Sequence, residues 1–189
     1  MTRAALALFV GLACALVAAC GSEMPVGDAE KALFVRAGDL VDYGLESSNA
    51  RYERFTKTRL FDGSVQVEYE YEVPEKAPGN RLFVYSCVTV ERKKADAIAS
   101  QGVEQAGIAV GLLGTDVSLE EVPGFFAYGD SARFYEIKNK EGAKVGNYFT
   151  AREGAKVYSL VIAGFYTDDR EIWAEMIGDK LKRFSSYTP

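Results

Sequence analysis

The chain has 189 residues, with 22 Lys and Arg against 27 Asp and Glu, a formal net charge of −5, and no histidine. The acidic balance argues against nucleic acid and anionic lipid as electrostatic partners, because both bind basic surfaces. The absence of histidine removes Ser-His-Asp and Cys-His catalytic pairs and every imidazole metal ligand. We therefore expect neither an enzyme nor a protein that holds a metal or another cofactor.

The N-terminal segment, residues 1–19, has the composition of an export signal. Arg3 precedes an apolar run over residues 4–19, which as a helix would span roughly 24 Å against a hydrocarbon core of about 30 Å. A basic start, a short apolar core and small residues at the end mark a cleaved signal rather than a membrane-spanning helix. An ordinary secretory signal that happens to end at a cysteine is the alternative.

Residues 17–20, Val-Ala-Ala-Cys, resemble the lipobox of bacterial lipoproteins. The resemblance implies removal of residues 1–19, a thioether-linked diacylglycerol on Cys20, and an acyl chain such as palmitate on its amino group. Several acyl chains anchor a protein stably, whereas one holds it only marginally. Gly21 follows the cysteine, where inner-membrane lipoproteins of Gram-negative bacteria often carry Asp. The implied location is therefore the periplasmic face of the outer membrane in a Gram-negative host, and the outer face of the plasma membrane in a Gram-positive host.

The chain that remains after removal of the signal, residues 20–189, has the size of one domain. We expect residues 20–28 to form the lipidated N-terminus and a flexible tether, and residues 29–189 to form a single α+β domain. Within that domain, apolar spacing over residues 29–43 predicts a first helix. Once Cys20 is lipidated, Cys87 is the remaining cysteine, so we expect no intrachain disulfide and a small buried side chain rather than a reactive thiol.

Residues 51–73 predict a β-hairpin about the dipeptide Asp62-Gly63. The second strand alternates Val and Tyr with Glu, which is typical of a strand with one buried face. A two-residue turn at Asp62 and Gly63 would place Lys57 opposite Glu68 on the polar face. We interpret the glutamates of this strand as a solvated surface, in preference to a catalytic or cation site.

Residues 82–90 are apolar on both faces, as expected of a central strand, and residues 92–113 predict a helix rich in Ala and Gly. The apolar positions of this helix include Ile98, Val103 and Ile108. The helix contains Gly102, Gly107 and Gly111, and Gly114 follows it. We interpret the glycines as a sign of close packing against the sheet. A hinge or a self-association face is the alternative.

Four further strands are predicted, a short one and three longer ones, over residues 117–122, 132–138, 143–151 and 155–163. A terminal helix follows, with Asp168 as its N-cap and Glu171 completing a capping box. Hairpin connections imply antiparallel pairing. The sequence thus predicts an α+β fold with an antiparallel β-sheet of about six to seven strands packed by two or three helices.

The C-terminal strand and helix carry a second resemblance. Residues 151–163, which read Ala-Arg-Glu-Gly-Ala-Lys-Val-Tyr-Ser-Leu-Val-Ile-Ala, precede a helix that ends in Lys182, Arg183 and Phe184. This pair is similar to the end of the PsbP-like α/β/α sandwich, and the element order from about residue 51 to 184 is similar as well. The resemblance implies a non-enzymatic accessory or binding protein, with no catalytic motif to carry over. Other α+β folds share this order of elements.

One loop offers candidate contacts with a partner or ligand. Phe125, Phe126 and Tyr128 stand in a segment flanked by Pro123 and Gly129. Aromatic side chains in a loop can anchor a partner or line a ligand cleft. The alternative is that they fold back onto the sheet.

These features predict a lipid-anchored cell-envelope protein that serves as a non-enzymatic binding or accessory module, with another envelope protein as its partner. The alternative is a carrier of a small apolar ligand, held between helix 92–113 and the sheet. A cavity behind that helix would distinguish the carrier.

Overall fold

A computed structural model describes residues 21–43, 52–73, 82–108 and 117–189. The export signal, Cys20, the loop at 74–81 and the predicted end of the second helix, residues 109–113, lie outside the described residues. Within these ranges the chain is α+β, and eight strands form one antiparallel sheet in the order β1-β2-β3-β4-β8-β7-β6-β5. The strands are β1 Gly21–Glu23, β2 Tyr52–Leu60, β3 Val65–Glu72, β4 Phe83–Val90, β5 Val117–Glu121, β6 Ser131–Asn139, β7 Lys144–Glu153 and β8 Lys156–Ala163.

Helices cover both faces of the sheet. The 3₁₀ helix Ala37–Tyr43 and α3 Arg170–Ser186 pack on one face, where α1 Asp28–Lys31 also contacts β2 through an ion pair. The other face is covered by α2, Lys94–Gly107, which lies across β7 and β8. No helix in the described part of the chain combines the length and apolarity that a membrane crossing requires.

The α3 face holds the larger core cluster. Alternation on β3 sends Val65, Val67, Tyr69 and Tyr71 into this cluster, as the sequence predicts. Trp173 of α3 is fully buried there. The α2 face holds a smaller cluster, formed mainly by Phe83, Tyr85, Cys87, Ile108, Tyr135, Ile137, Tyr148 and Val161.

The prediction of six to seven strands is one strand short. Each strand expected between residues 51 and 163 is present, and the additional one is β1, at the start of the segment expected to be a free tether. Gly21 pairs with Leu60 and Glu23 with Thr58, at the outer edge of the sheet. A strand as short as β1 cannot show a period-two pattern, so hydrophobic alternation could not reveal it.

The predicted register of the first hairpin is wrong by one residue. Gly63, at φ 88°, closes a three-residue loop in which the Gly63 amide donates to the Leu60 carbonyl oxygen and the Leu60 amide donates to the Ser64 carbonyl oxygen. Lys57 therefore lies opposite Val67 rather than Glu68, and its side chain lies on the core face, because a slip of one residue moves every side chain to the other face.

The interior position of Lys57 is stabilised by a charge partner. Its Nζ lies 2.7 Å from Glu30 Oε1, and the two side chains are only 8% and 12% exposed. The hydrogen bond from Lys57 is the main cause that lowers the pKa of Glu30. Across the sheet, Glu68 faces Thr56 and Glu70 pairs with Arg54, so these glutamates are half-buried and bonded rather than fully solvated.

The helix boundaries also differ from the prediction. The first predicted helix, residues 29–43, divides into α1 and the 3₁₀ helix. In α3 the N-cap is Asp169 rather than Asp168, because Asp169 Oδ1 accepts hydrogen bonds from the amides of Glu171 and Ile172.

Helix α2 presents a different face from the one predicted. Ile98 and Val103 are 55% and 71% exposed. A Cβ built on Gly102 or Gly107 would contact nothing within 4 Å, so these two glycines do not mediate close packing.

Candidate ligand and partner sites

The aromatic loop after β5 folds back onto the sheet. Phe125 is buried and stacks on Phe134 with ring centroids 3.8 Å apart. Phe126 packs edge-on against Phe149, and the hydroxyl of Tyr128 donates to the Leu181 carbonyl oxygen at 2.9 Å. The loop therefore closes the end of the larger core cluster.

Tyr128 and Phe126 remain partly exposed, whereas Phe125 is enclosed. Tyr128 also lies 3.0 Å from Glu153 Oε2. Burial raises the pKa of Tyr128 to about 12, so the phenol stays protonated and acts as a donor. Of the three predicted contacts, Phe126 and Tyr128 keep surface that a partner could touch.

The inward face of α2 carries two polar side chains, Gln101 and Glu104, between two apolar ones. Ala97, Gln101, Glu104 and Ile108 follow one another at helical spacing and point at the sheet. Gln101 Nε2 lies 3.3 Å from Thr150 Oγ1 on β7. A helix that covers a sheet normally buries an apolar stripe, so this arrangement requires hydrogen-bonding partners beneath it.

Glu104 is the centre of that polar contact. Its two carboxyl oxygens accept hydrogen bonds from different strands, from Thr89 Oγ1 at 2.9 Å and from Ser159 Oγ at 2.6 Å. Burial raises the pKa of Glu104, although both hydroxyl donors act in the opposite direction. The group formed by Thr89, Gln101, Glu104, Thr150 and Ser159 is named here the α2 polar cluster.

Two tyrosines lie on the same face with unsatisfied hydroxyl groups. Tyr135 and Tyr148 stack with centroids 5.3 Å apart and are 3% and 0% exposed. Within the described residues, neither hydroxyl makes a hydrogen bond of good geometry, although Arg133 approaches that of Tyr135, and Ser159 and Thr150 approach that of Tyr148. The charge of Glu104 adds to burial in raising the pKa of Tyr148, which places these groups in one electrostatic environment. A buried hydroxyl without a partner is unfavourable, so a ligand atom at this place would be stabilised.

The chemistry available on this face suits binding. Burial is the first cause that raises the pKa of Cys87 well above its ordinary value, and the nearby Glu104 charge adds to it, so the thiol is not a thiolate nucleophile. No three His, Cys, Asp or Glu side chains converge to hold a metal in the ranges that the structure describes. A carboxyl group with a raised pKa and two phenols can donate to, and accept from, a neutral polar group.

A second site is a basic cleft between α1 and α3. Its volume is about 280 Å³, and its lining consists of Asp28, Lys31, Ala32, Arg36, Lys180 and Arg183. Lys31 lies 3.7 Å from Asp28, and Lys180 lies 3.1 Å from Asp39. Arg36 and Arg183 have no ion-pair partner among the described residues, so the cleft keeps an excess of positive charge in an acidic protein.

Sequence reasoning missed both sites. Hydroxyl side chains inside strands that are otherwise apolar, such as Thr89, Thr150 and Ser159, were the available signal for the α2 polar cluster. The basic cleft had no local signal, because α1 and α3, which supply most of its cations, lie near opposite ends of the chain.

Comparison with protein-family models, with curated proteins and with solved structures finds no match to this chain. The resemblance to the PsbP-like sandwich accordingly stays a prediction.

Proposed function

We propose that this protein is a lipid-anchored, non-enzymatic binding or accessory module of the cell envelope, and that its partner is an envelope protein with an acidic segment. The lipobox resemblance supports the anchor, and the absence of histidine supports a role without catalysis. The observation that carries the choice of partner is the basic cleft. Lys31 and Lys180 are ion-paired, but Arg36 and Arg183 leave the cleft with an excess of positive charge, which an acidic partner segment would neutralise.

The anchor is tested on the full protein isolated from its own membranes. Its intact mass should equal the chain from Cys20 onward plus a diacylglyceryl group and an acyl chain. Cys20→Ser should lose this mass and leave the membrane fraction. A chain that is cleaved but carries no lipid would contradict the anchor and support the ordinary secretory signal.

The partner is tested by native mass of the same extract in mild detergent. A companion protein in fixed stoichiometry is expected, and Arg36→Glu combined with Arg183→Glu should release it. Lys182→Glu is the matched control, because Lys182 lies beside Arg183 on α3 but outside the cleft. A lone chain, or a companion that both variants retain, would contradict recognition through the cleft.

The α2 polar cluster favours a second candidate function, the carrier. The hydroxyls of Tyr135 and Tyr148, which make no hydrogen bond of good geometry within the described residues, support a ligand that is apolar in its body and carries one hydrogen-bonding group. Under this proposal the native mass shows a lone chain with extra mass beyond the lipid. Tyr148→Phe should reduce the occupancy, whereas Tyr52→Phe, on the outer strand β2, should not.

A further inference from the structure

Strand β1 fixes where the chain enters the sheet. Gly21 pairs with Leu60, the last residue of β2. Adjacent Cα atoms are about 3.8 Å apart, and paired strands bring Cα atoms within about 5.5 Å. The Cα of Gly21 therefore lies within about 10 Å of the Cα of Phe61, and Cys20 is the next residue toward the N-terminus in the sequence. A lipid on Cys20 would hold this end of the sheet, the end that carries the β2–β3 loop, close to the bilayer.

That loop exposes the largest fraction of any apolar side chain described. Residues 61–63, named here the hairpin tip, begin with Phe61, which is 86% exposed. Loops of this kind usually carry Gly, Asn, Asp, Ser or Pro, which solvate well. Aromatic residues are enriched where a protein meets the interface of a membrane. An exposed Phe beside a lipid attachment point thus has a nearby apolar environment that could cover it.

The hairpin tip is held in one conformation. Asp62 Oδ1 accepts hydrogen bonds from the amide of Ser64 at 2.9 Å and from its hydroxyl at 2.6 Å. Arg92 donates to the carbonyl oxygen of Asp62 at 3.3 Å. Because the loop is already ordered, Phe61 projects from the end of the sheet without a further loss of backbone entropy.

Cations surround the tip although the whole chain is acidic. Arg59, Arg92 and Lys93 are exposed, and no ion pair engages Arg59 or Lys93 within the described residues. The carboxylates nearby include Asp62, which bonds its own loop, Glu91, whose pKa burial raises, and Asp96, whose charge together with that of Asp62 adds to this rise. Long basic side chains can lie along a membrane surface and reach the lipid phosphates while an aromatic ring inserts between them.

We propose that the hairpin tip docks on the phospholipid bilayer, with Phe61 inserted among the headgroups and Arg59 and Lys93 on the phosphates, so that the sheet stands on this end. This inference rests on the proposed lipid anchor at Cys20. It assigns the protein one orientation, in which α2 begins near the lipid and the exposed Val103, farther along α2, lies farther from the lipid than the hairpin tip does.

The test places a single indole at the tip of the full lipidated protein, reconstituted in vesicles that contain brominated phosphatidylcholine. Phe61→Trp is compared with Val103→Trp, because both positions are exposed and both variants should melt like the parent. Trp173 supplies a constant background, since it is fully buried. Above the background from Trp173, we expect the fluorescence of the Trp at position 61 to fall roughly twofold in these vesicles. The fluorescence of the Trp at position 103 should not fall.

The outcomes separate docking from anchoring. Vesicles that float with the protein but leave the indole at position 61 unquenched would overturn docking and leave the anchor intact. Equal quenching at both positions would overturn the stated orientation. A protein without lipid mass that fails to float would overturn the anchor, and docking with it. Quenching at position 61 alone, in vesicles of neutral and of anionic lipid, would support the proposal.

Discussion

At the scale of single residues, Glu104 is the side chain whose environment departs furthest from that of a surface carboxylate. It lies on the sheet-facing side of α2 and is hydrogen-bonded to two strands, and burial raises its pKa above the ordinary value of 4.5. A raised pKa in the folded state means that stability falls as pH rises through the window above 4.5, because the unfolded chain releases this proton first.

Glu104→Gln should therefore stabilise the protein at neutral pH. The amide keeps an acceptor for one hydroxyl and a donor for the other, and it removes the buried charge. We expect Tm to rise by about 2–4 °C at pH 7.5, the shift that about 1 kcal/mol produces in a domain of this size. The gain should disappear near pH 4.

Melting curves across pH, by circular dichroism, measure this effect. Glu141→Gln is the matched control, since Glu141 lies in an exposed turn, and its Tm should follow the parent at every pH. A gain that persists unchanged at pH 4, or a loss at pH 7.5, would show that the carboxylate charge is not the source.

The Lys57–Glu30 pair gives a prediction about register. Removing one member leaves the other charge enclosed, so Lys57→Met should lower the free energy of unfolding by about 1–3 kcal/mol. A double-mutant cycle with Glu30→Gln should show strong coupling, and a cycle with Glu68→Gln should show almost none. If Lys57 were coupled to Glu68 and not to Glu30, the hairpin would have the two-residue turn that the sequence predicts. Chemical denaturation measures the single and double variants of both cycles.

At the scale of elements, α2 is a helix whose solvent side carries apolar side chains and glycine. Gly102 faces open space in the middle of the helix. Gly102→Ala should stabilise the protein by about 0.5–1 kcal/mol, because alanine lowers the conformational entropy of the unfolded chain and has a higher helix propensity than glycine.

Gly146→Ala is the contrasting substitution. A Cβ at Gly146 on β7 would overlap the carbonyl oxygen of Ile162 on β8, so this variant should lose about 1–3 kcal/mol. The denaturant midpoint of each variant, compared with that of the parent, measures these opposite changes in stability. If Gly102→Ala were destabilising or changed the native mass, the glycine would instead belong to a self-association face.

The elements show how much the sequence alone could predict. β3 and β8 were predictable, because alternation on β3 and two apolar faces on β8 follow directly from where their side chains are buried. The register was not predictable from Asp62 and Gly63, because the same dipeptide closes loops of two or three residues. The face of α2 was not predictable either, since Glu104 points inward only because Thr89 and Ser159 lie beneath it.

The candidate sites were less predictable than the fold. Phe125 was identified as a possible contact from its loop setting, yet that setting says nothing about Phe134, on which it stacks. The basic cleft depends on α1 meeting the C-terminal half of α3, a tertiary contact that no local pattern encodes. The proposed lipid site at Cys20 rests on adjacent residues alone, because a lipobox is a linear motif.

At the scale of the whole molecule, Cys87 reports on the stability of the sheet. It lies on β4, between β3 and β8, and it is fully buried. Its thiol should react with a maleimide only when the sheet opens, so its labelling rate should follow global unfolding as denaturant is varied.

Mass spectrometry of the intact protein follows this labelling. Ser118→Cys, exposed on β5, is the control and should be labelled without any dependence on unfolding. Labelling of Cys87 that is fast and insensitive to denaturant would show that β4 opens locally, although it is paired with β3 on one side and β8 on the other.

The sheet order sets a sequence of events during synthesis. β1 to β4 form one meander and β5 to β8 another, and the two join only where β4 pairs with β8. A ribosome produces β4 first and reaches β8 only after it has made α2, β5, β6 and β7. In that interval the inner edge of the first meander, the uncharged strand Phe83–Val90, lacks its partner strand. Such an edge is a template for pairing with other chains. A nascent chain stalled before residue 156 should therefore aggregate. During normal synthesis, the edge of β4 must be protected from pairing with other chains until β8 has been made.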